Sequence, residues 1–447
     1  MKKNILLILG FFFILLLVEI ILLIYDPVNK AFIDALVVTI SLLLIVDLSL
    51  LGIGFASYSL IFIYLPIVSL GIYGPLHLVQ PVLNGPTGYI DRYFLFLFTG
   101  LIYFFFVWSI LLVKRHKGYS GFDNQMIKAS LAIQTNSTGL ITFIFAIISL
   151  ACTFIFLPGL PGGNYRSVVP NLLPGNAWNA VALIAYFFVL FGKRSWFRNL
   201  TLILVPGWFL LHFHRVDVLG LFIVYFVLSI QKIKFKRISL SFLTKNWRSL
   251  SIVVIGFILL LYIGLIRKLG WHWSSQLFFS SLGGIFNYLT VQDVLYSNAS
   301  AMAYVGKNGT VPTLLYYFFR LLPSQILPSQ FSTNLDAAYI VSTFTNTNRG
   351  MLIIGEFYLN AKYIGILLSP FVTYLIIFGG TALFGKLFGE KGKGVSYFVL
   401  IISASRIFWY GFIYYIKPLL LISPFFIFLY LFLIYIKKRY RILKPDR

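Results

Sequence analysis

The residues of this chain whose types and spacing can do chemistry lie in two short stretches. The first runs from Asn348 to Gly365 and reads Asn-Arg-Gly-Met-Leu-Ile-Ile-Gly-Glu-Phe-Tyr-Leu-Asn-Ala-Lys-Tyr-Ile-Gly. As a helix, its 3.6-residue period sets Arg349, Glu356, Asn360 and Tyr363 on one stripe, at spacings of seven, four and three. A cation, a carboxylate base and an amide then share a face. The second stretch is the turn His212-Phe213-His214-Arg215-Val216-Asp217. It sets a guanidinium, which holds anions by charge-assisted hydrogen bonds, between two imidazoles and an acid. Each feature also has a plain structural reading. Glu356 pairs with Lys362 or caps its helix, Arg215 pairs with Asp217 to close the turn, Arg320 snorkels from an interfacial helix, and Arg349 meets lipid headgroups. A metal held by His212, His214 and Asp217 is a weaker alternative, because an isolated His-x-His in a turn is a sparse ligand set.

The elements that must position these residues follow from composition. Hydrophobic residues make up 60% of the 447 and charged residues only 11%, with a mean hydropathy of +0.91. Those values exclude a soluble chain with one core and describe an all-α polytopic membrane protein. Apolar runs able to cross a hydrocarbon core of about 30 Å occur near residues 4–25, 31–55, 57–79, 92–113, 138–157, 250–266, 363–385, 395–413 and 418–436, with shorter ones at 177–192, 199–213 and 216–231. Together they predict about twelve transmembrane helices. Glu19, Asp34 and Asp47 in the first two spans are expected to face the bundle interior, where an Arg such as Arg406 pairs with one of them.

Placing Lys2 and Lys3 inside puts every basic loop on the cytoplasmic face, as the positive-inside rule requires. Of the 36 Lys and Arg residues, 24 then lie there. The net charge of +24 is thus topological and does not indicate a nucleic-acid partner. Both termini are expected in the cytoplasm. The single Cys152 excludes a disulfide framework.

Only 33 residues separate the basic clusters that end at Arg198 and start at Lys232. Two helices and a turn must fit there, so each helix has about 15 residues and spans about 22 Å. The His212–Asp217 turn is therefore expected below the outer surface, at the depth of a lipid diphosphate. The chain divides into helices over 1–266, one large extracytoplasmic loop domain over 267–362, and helices with a basic tail over 363–447. Within the loop, Leu314 to Ser324 is too short to span and ends on Pro323, which predicts an amphipathic helix on the membrane surface. The polar run from Asp336 to Arg349 reads as a loop able to hydrogen-bond sugar hydroxyls. With 28 Tyr and 47 Phe, no individual stacking residue can be named.

The phrase Phe319-Arg320-Leu321-Leu322-Pro323-Ser324, the Pro328 turn after it and the Gly355 to Gly365 stretch resemble, in order and setting, the Wzy-type oligosaccharide repeat unit polymerases. The His-Arg-Val-Asp turn resembles that family's Arg-Gly-Asp-like turn, with Val216 where a Gly is common and Ala361-Lys362 where a Phe-Gly pair is common. The resemblance covers the second half of the chain; the first half matches only in hydropathy. It implies a GT-C-like architecture and a glycosyltransferase that moves a growing glycan from undecaprenyl diphosphate onto the next lipid-linked repeat unit, at the outer face of the bacterial inner membrane, in O-antigen (lipopolysaccharide) or capsular polysaccharide biosynthesis.

In that chemistry Arg215 and Arg349 stabilise the departing diphosphate. Glu356 accepts the hydroxyl proton, with Asp217, Asp336 and His214 as alternatives. His212, His214, Arg320, Asp336, Asn360 and Tyr363 line the substrate path. No cofactor is expected, since no Asp-x-Asp motif occurs in the external segments. The implied partners are the lipid-linked oligosaccharide, membrane lipids, a chain-length regulator and a flippase. Two other functions fit the same topology: an O-antigen ligase, and a lipid-linked oligosaccharide flippase, although a transporter would favour internal repeats and a midplane site.

Overall fold

The computed structural model describes residues 2–25, 30–51, 90–114, 131–159, 177–212, 214–230, 251, 276, 292–322, 335–345 and 350–443. Spans expected at 57–79 and 250–266 lie outside the described residues, as do Arg349, the Pro328 turn and the side chain of Arg215. Among the described residues every regular element is helical. In order they are α1 (Lys2–Tyr25), α2 (Lys30–Leu51), α3 (Ile90–Lys114), α4 (Gly139–Phe156), α5 (Ala177–Leu190), α6 (Trp196–Leu211), α7 (Arg215–Ile230), α8 (Gln292–Asn308), α9 (Leu315–Phe319), α10 (Ala337–Thr345), α11 (Ile353–Tyr410), α12 (Ile413–Lys417) and α13 (Ser423–Leu443), with a π-helical turn at Pro418–Ile422. Three helical runs, Gly139–Phe156, Ile353–Tyr410 and Ile413–Arg439, are long and apolar enough to cross a membrane. Many of their outward residues are apolar, including Leu140, Phe425 and Phe428, as a lipid-facing surface requires.

The chain forms two compact units. One comprises Met1–Ser120, Phe286–Phe378 and Ala404–Tyr414; the other comprises Gly121–Ile285, Gly379–Ser403 and Tyr415–Arg447. In the first, α1, α2 and α3 pack on one another and α8 lies against α3 and α10. Trp108 of α3 stacks on Phe104 with centroids 6.0 Å apart and meets Tyr374 edge-on at 6.3 Å. Glu19 is buried and accepts the Thr39 hydroxyl across the α1–α2 contact. Asp34 is exposed, against expectation. Arg406 lies over the Tyr414 ring, and the side chain of Asp47 lies outside the described residues.

In the second unit α4 packs on α5 and α6, and α6 on α7. Thr138 caps α4 by accepting from the Ile141 N–H at 3.2 Å, and Ser195 caps α6 by accepting from the Arg198 N–H at 3.2 Å. Pro206 lies inside α6 and has no N–H for the Leu202 carbonyl. The Tyr186 hydroxyl donates to that carbonyl at 3.2 Å, so the break in the ladder is filled from α5. Pro370 in α11 is compensated in the same way, by Ser369 Oγ donating to the Ile366 carbonyl at 2.7 Å.

A straight helix of 58 residues would be about 87 Å long, far more than the bilayer's apolar thickness of about 30 Å. The run is not straight. Lys362 has φ of 50°, and Gly365 returns against the Phe357 carbonyl, which an unbroken helix would leave about 12 Å away along the axis. A second reversal occurs at Gly389, whose φ of 63° is open to glycine at little cost. Beyond it Gly392 meets the Phe384 carbonyl, and Ser396 and Thr381 share a hydrogen bond at 3.0 Å. Between and after the reversals the pieces have roughly 26 and 21 residues, about 39 and 31 Å.

Candidate functional site

The site is built on the nine residues of α11 that precede the Lys362 reversal. Glu356 lies in the first turn, where a carboxylate is favoured by the helix dipole. A neighbouring segment, residues 311–320, is fastened to this piece at several points. The Val311 N–H donates to the Leu359 carbonyl at 2.9 Å, the Leu314 N–H to Asn360 Oδ1 at 3.0 Å, and Asn360 Nδ2 to Thr313 Oγ1 at 2.6 Å and to the Glu356 carbonyl at 2.8 Å. The first three of these bonds hold α9 in register. Asn360 is thus a clamp between backbone segments, with its amide occupied.

Glu356 is 5% exposed. Tyr317 of α9, also buried, donates its hydroxyl proton to Glu356 Oε2, and its oxygen accepts the Phe412 N–H at 3.2 Å. Burial, reinforced by the adjacent carboxylate, holds the Tyr317 phenol well above its ordinary pKa, so it remains a neutral donor. The backbone passes close by at Gly411, where φ is 97° and a Cβ would collide with the Tyr317 hydroxyl and crowd Glu356 Oε2. Only glycine meets both conditions without strain. Glu356 Oε1 has no hydrogen-bond partner among the described residues. Lys362 does not pair with Glu356.

The next residue back, Tyr316, faces a second set. Its hydroxyl donates to Asp336 Oδ2 at 3.2 Å and accepts from Arg320 Nε at 2.6 Å. Burial and the Asp336 charge push the Tyr316 phenol up to about 12, so it too stays protonated. The terminal nitrogens of the Arg320 guanidinium make no hydrogen bond among the described residues. Asp336 Oδ1 accepts the Ala338 and Tyr339 N–H groups at 3.0 and 3.2 Å. That is an N-cap, and it corrects the expected Asp336–Arg349 loop. Residues 337–345 form α10 because an Asp cap precedes Ala-Ala-Tyr-Ile-Val, an apolar run whose face packs on α8. Arg320 and Asp336, distant in sequence, are brought onto one tyrosine.

The expected four-residue stripe holds in part. Glu356 and Asn360 share a face as i and i+4. Arg349 precedes the helix, which starts at Ile353. Tyr363 lies beyond the Lys362 reversal, is 48% exposed and packs edge-on against Tyr358 at 5.6 Å. The stripe assumes an unbroken period, and the positive φ at Lys362 ends it.

The second sequence candidate lies in the other unit. α6 and α7 are 16 residues each, as the spacing of the basic clusters implies. His212 is 1% exposed at the end of α6; its Nδ1 meets the Trp208 carbonyl at 2.9 Å and its Nε2 the Gly159 carbonyl at 3.1 Å. With both ring nitrogens on backbone carbonyls, His212 fastens residues 157–159 to α6 and has no nitrogen left for a metal or substrate. His214 lies with Nδ1 3.4 Å from Asp217 Oδ2 and sets its ring edge-on to Phe156 at 5.1 Å. Arg215 opens α7, with Asp217 buried in its first turn. Among the described residues no three His, Cys, Asp or Glu side chains cluster as a metal site.

Sequence reading missed Tyr316, Tyr317, Thr313 and Gly411. The one local signal is the Tyr-Tyr pair three to four residues before Arg320, where every other neighbour in the run is purely apolar. No protein-family model, curated protein or solved structure matches the chain.

Proposed function

We propose that this chain is a membrane glycosyltransferase that joins undecaprenyl-diphosphate-linked oligosaccharide repeat units into O-antigen or capsular polysaccharide at the outer face of a bacterial inner membrane. The observation that carries this reading is the Glu356 carboxylate, buried, held through one oxygen by Tyr317 and without a hydrogen-bond partner at the other among the described residues. A carboxylate in that state is a general base for a hydroxyl. The Phe319–Ser324 and Gly355–Gly365 resemblances support the same assignment.

In the reaction an acceptor sugar hydroxyl oxygen bonds to the anomeric carbon of the donor glycan. The bond from that carbon to the diphosphate oxygen breaks, its electron pair stays on the lipid diphosphate, and the hydroxyl proton passes to Glu356 Oε1. Arg320, whose Nε is fixed by Tyr316 and whose terminal nitrogens make no hydrogen bond among the described residues, supplies a planar fork for diphosphate oxygens, with Arg349 as the further cation. Asp336 holds that arrangement by binding Tyr316 and capping α10.

The test is the glycan profile of a deletion strain. Single repeat units on the carrier core are expected; absence of any added unit would overturn the reading in favour of a ligase or a flippase. The orientation is checked by labelling, with Lys307 reactive from outside and Lys391 from the cytoplasm.

A further inference from the structure

We infer that Tyr317 is a positioning residue for this reaction, one that decides which oxygen of Glu356 takes the proton. The inference rests on the function proposed above. A glutamate carboxylate turns about a broad terminal torsion, so burial alone does not select an oxygen. Here selection comes from the phenol. Its oxygen takes the Phe412 N–H, which leaves its single proton to point at Glu356 Oε2. Oε1 then remains as the basic atom, without a hydrogen-bond partner among the described residues. The geometry depends on Gly411, since a side chain there would displace the hydroxyl from the carboxylate.

Tyr317 does not contact the reacting atoms, so its effect must run through Glu356. The experiment is a kinetic double-mutant cycle on purified full-length protein, using lipid-linked oligosaccharide extracted from cells lacking this chain. Tyr317→Phe removes only the hydroxyl and is expected to lower kcat about 10- to 100-fold with KM unchanged. Tyr317→Phe combined with Glu356→Gln is expected to be no slower than Glu356→Gln alone, because groups acting as one unit are not additive. A structural tyrosine would instead give additive losses that track the amount of folded protein. Fluorotyrosine placed at position 317 keeps ring and hydroxyl, which secures folding, while making the shared proton more acidic. A weaker base follows, and kcat should fall roughly 2- to 5-fold. Wild-type kcat in either single variant, or additivity in the cycle, overturns the inference. A wild-type protein that forms no polymer from these substrates overturns the proposed function instead.

Discussion

Glu356 in one unit and His212 in the other are both buried ionisable side chains, yet they use their polar atoms in opposite ways. Around Glu356, side chains bond to side chains, Tyr317 to Glu356 and Arg320 to Tyr316 to Asp336, and reactive atoms are left over. In the turn, His212 bonds only to backbone carbonyls and nothing is left over on its ring. A side chain whose polar atoms are all spent on backbone holds the fold together, whereas one with an atom to spare can meet a ligand. Both looked like sites in sequence. Among the described groups, Glu356 keeps an unpartnered oxygen, whereas both ring nitrogens of His212 are taken.

The contrast is sharpest at Glu356. Glu356→Gln keeps the shape and an acceptor for Tyr317 but removes the base, and kcat should fall about 100- to 10,000-fold with the folded amount preserved. Polymer formation per milligram of monodisperse protein measures it; wild-type activity would dissolve the distinction between the two regions. A smaller effect of a different kind is expected in the turn. His212→Ala takes the ring away from the Gly159 carbonyl and leaves the Trp208 carbonyl with only the residue 212 N–H, and should cost about 2 kcal/mol of stability, read as a lower unfolding temperature. Specific activity of the surviving folded protein should hold, with or without a chelator. Chelator-sensitive activity rescued by a divalent ion would return His212 to the chemical class. The smallest change is expected at Tyr186→Phe, which strips the Leu202 carbonyl opposite Pro206 of its donor. A loss of about 1 kcal/mol without a kinetic change would mark it as a repair of the helix ladder.

The two regions also differ in how far sequence could reach them. The shortness of α6 and α7 was legible because basic clusters bracket them, and charge at membrane boundaries is a strong signal. The pairing of Glu356 with Asn360 was legible because one helical turn joins them. The end of that helix was not. Asn-Ala-Lys-Tyr-Ile is a good helix sequence, and a positive φ at Lys362 comes from packing, with Gly365 as the only local trace. Tyr317 was hidden for another reason. One hydroxyl among so many aromatic residues is distinguished only by what lies across from it, and Glu356 is 39 residues away. Asp336 fails in a third way: capping and sugar binding draw on the same residue types, and only the N–H groups of Ala338 and Tyr339 decide between them.

The reversal at Lys362 has a mechanical meaning. A membrane helix whose apolar length differs from the local bilayer thickness tilts or shifts until the two agree, at a cost of fractions of a kcal/mol per Å. Were α11 a single rod, any such tilt would swing its first turn like the end of a lever. With a fold-back just past Asn360, the short piece that carries Glu356 is tethered to residues 311–320 and hinged from the long apolar piece behind it. A tilt of the apolar piece then need not carry the carboxylate with it, because the chain reverses between the two.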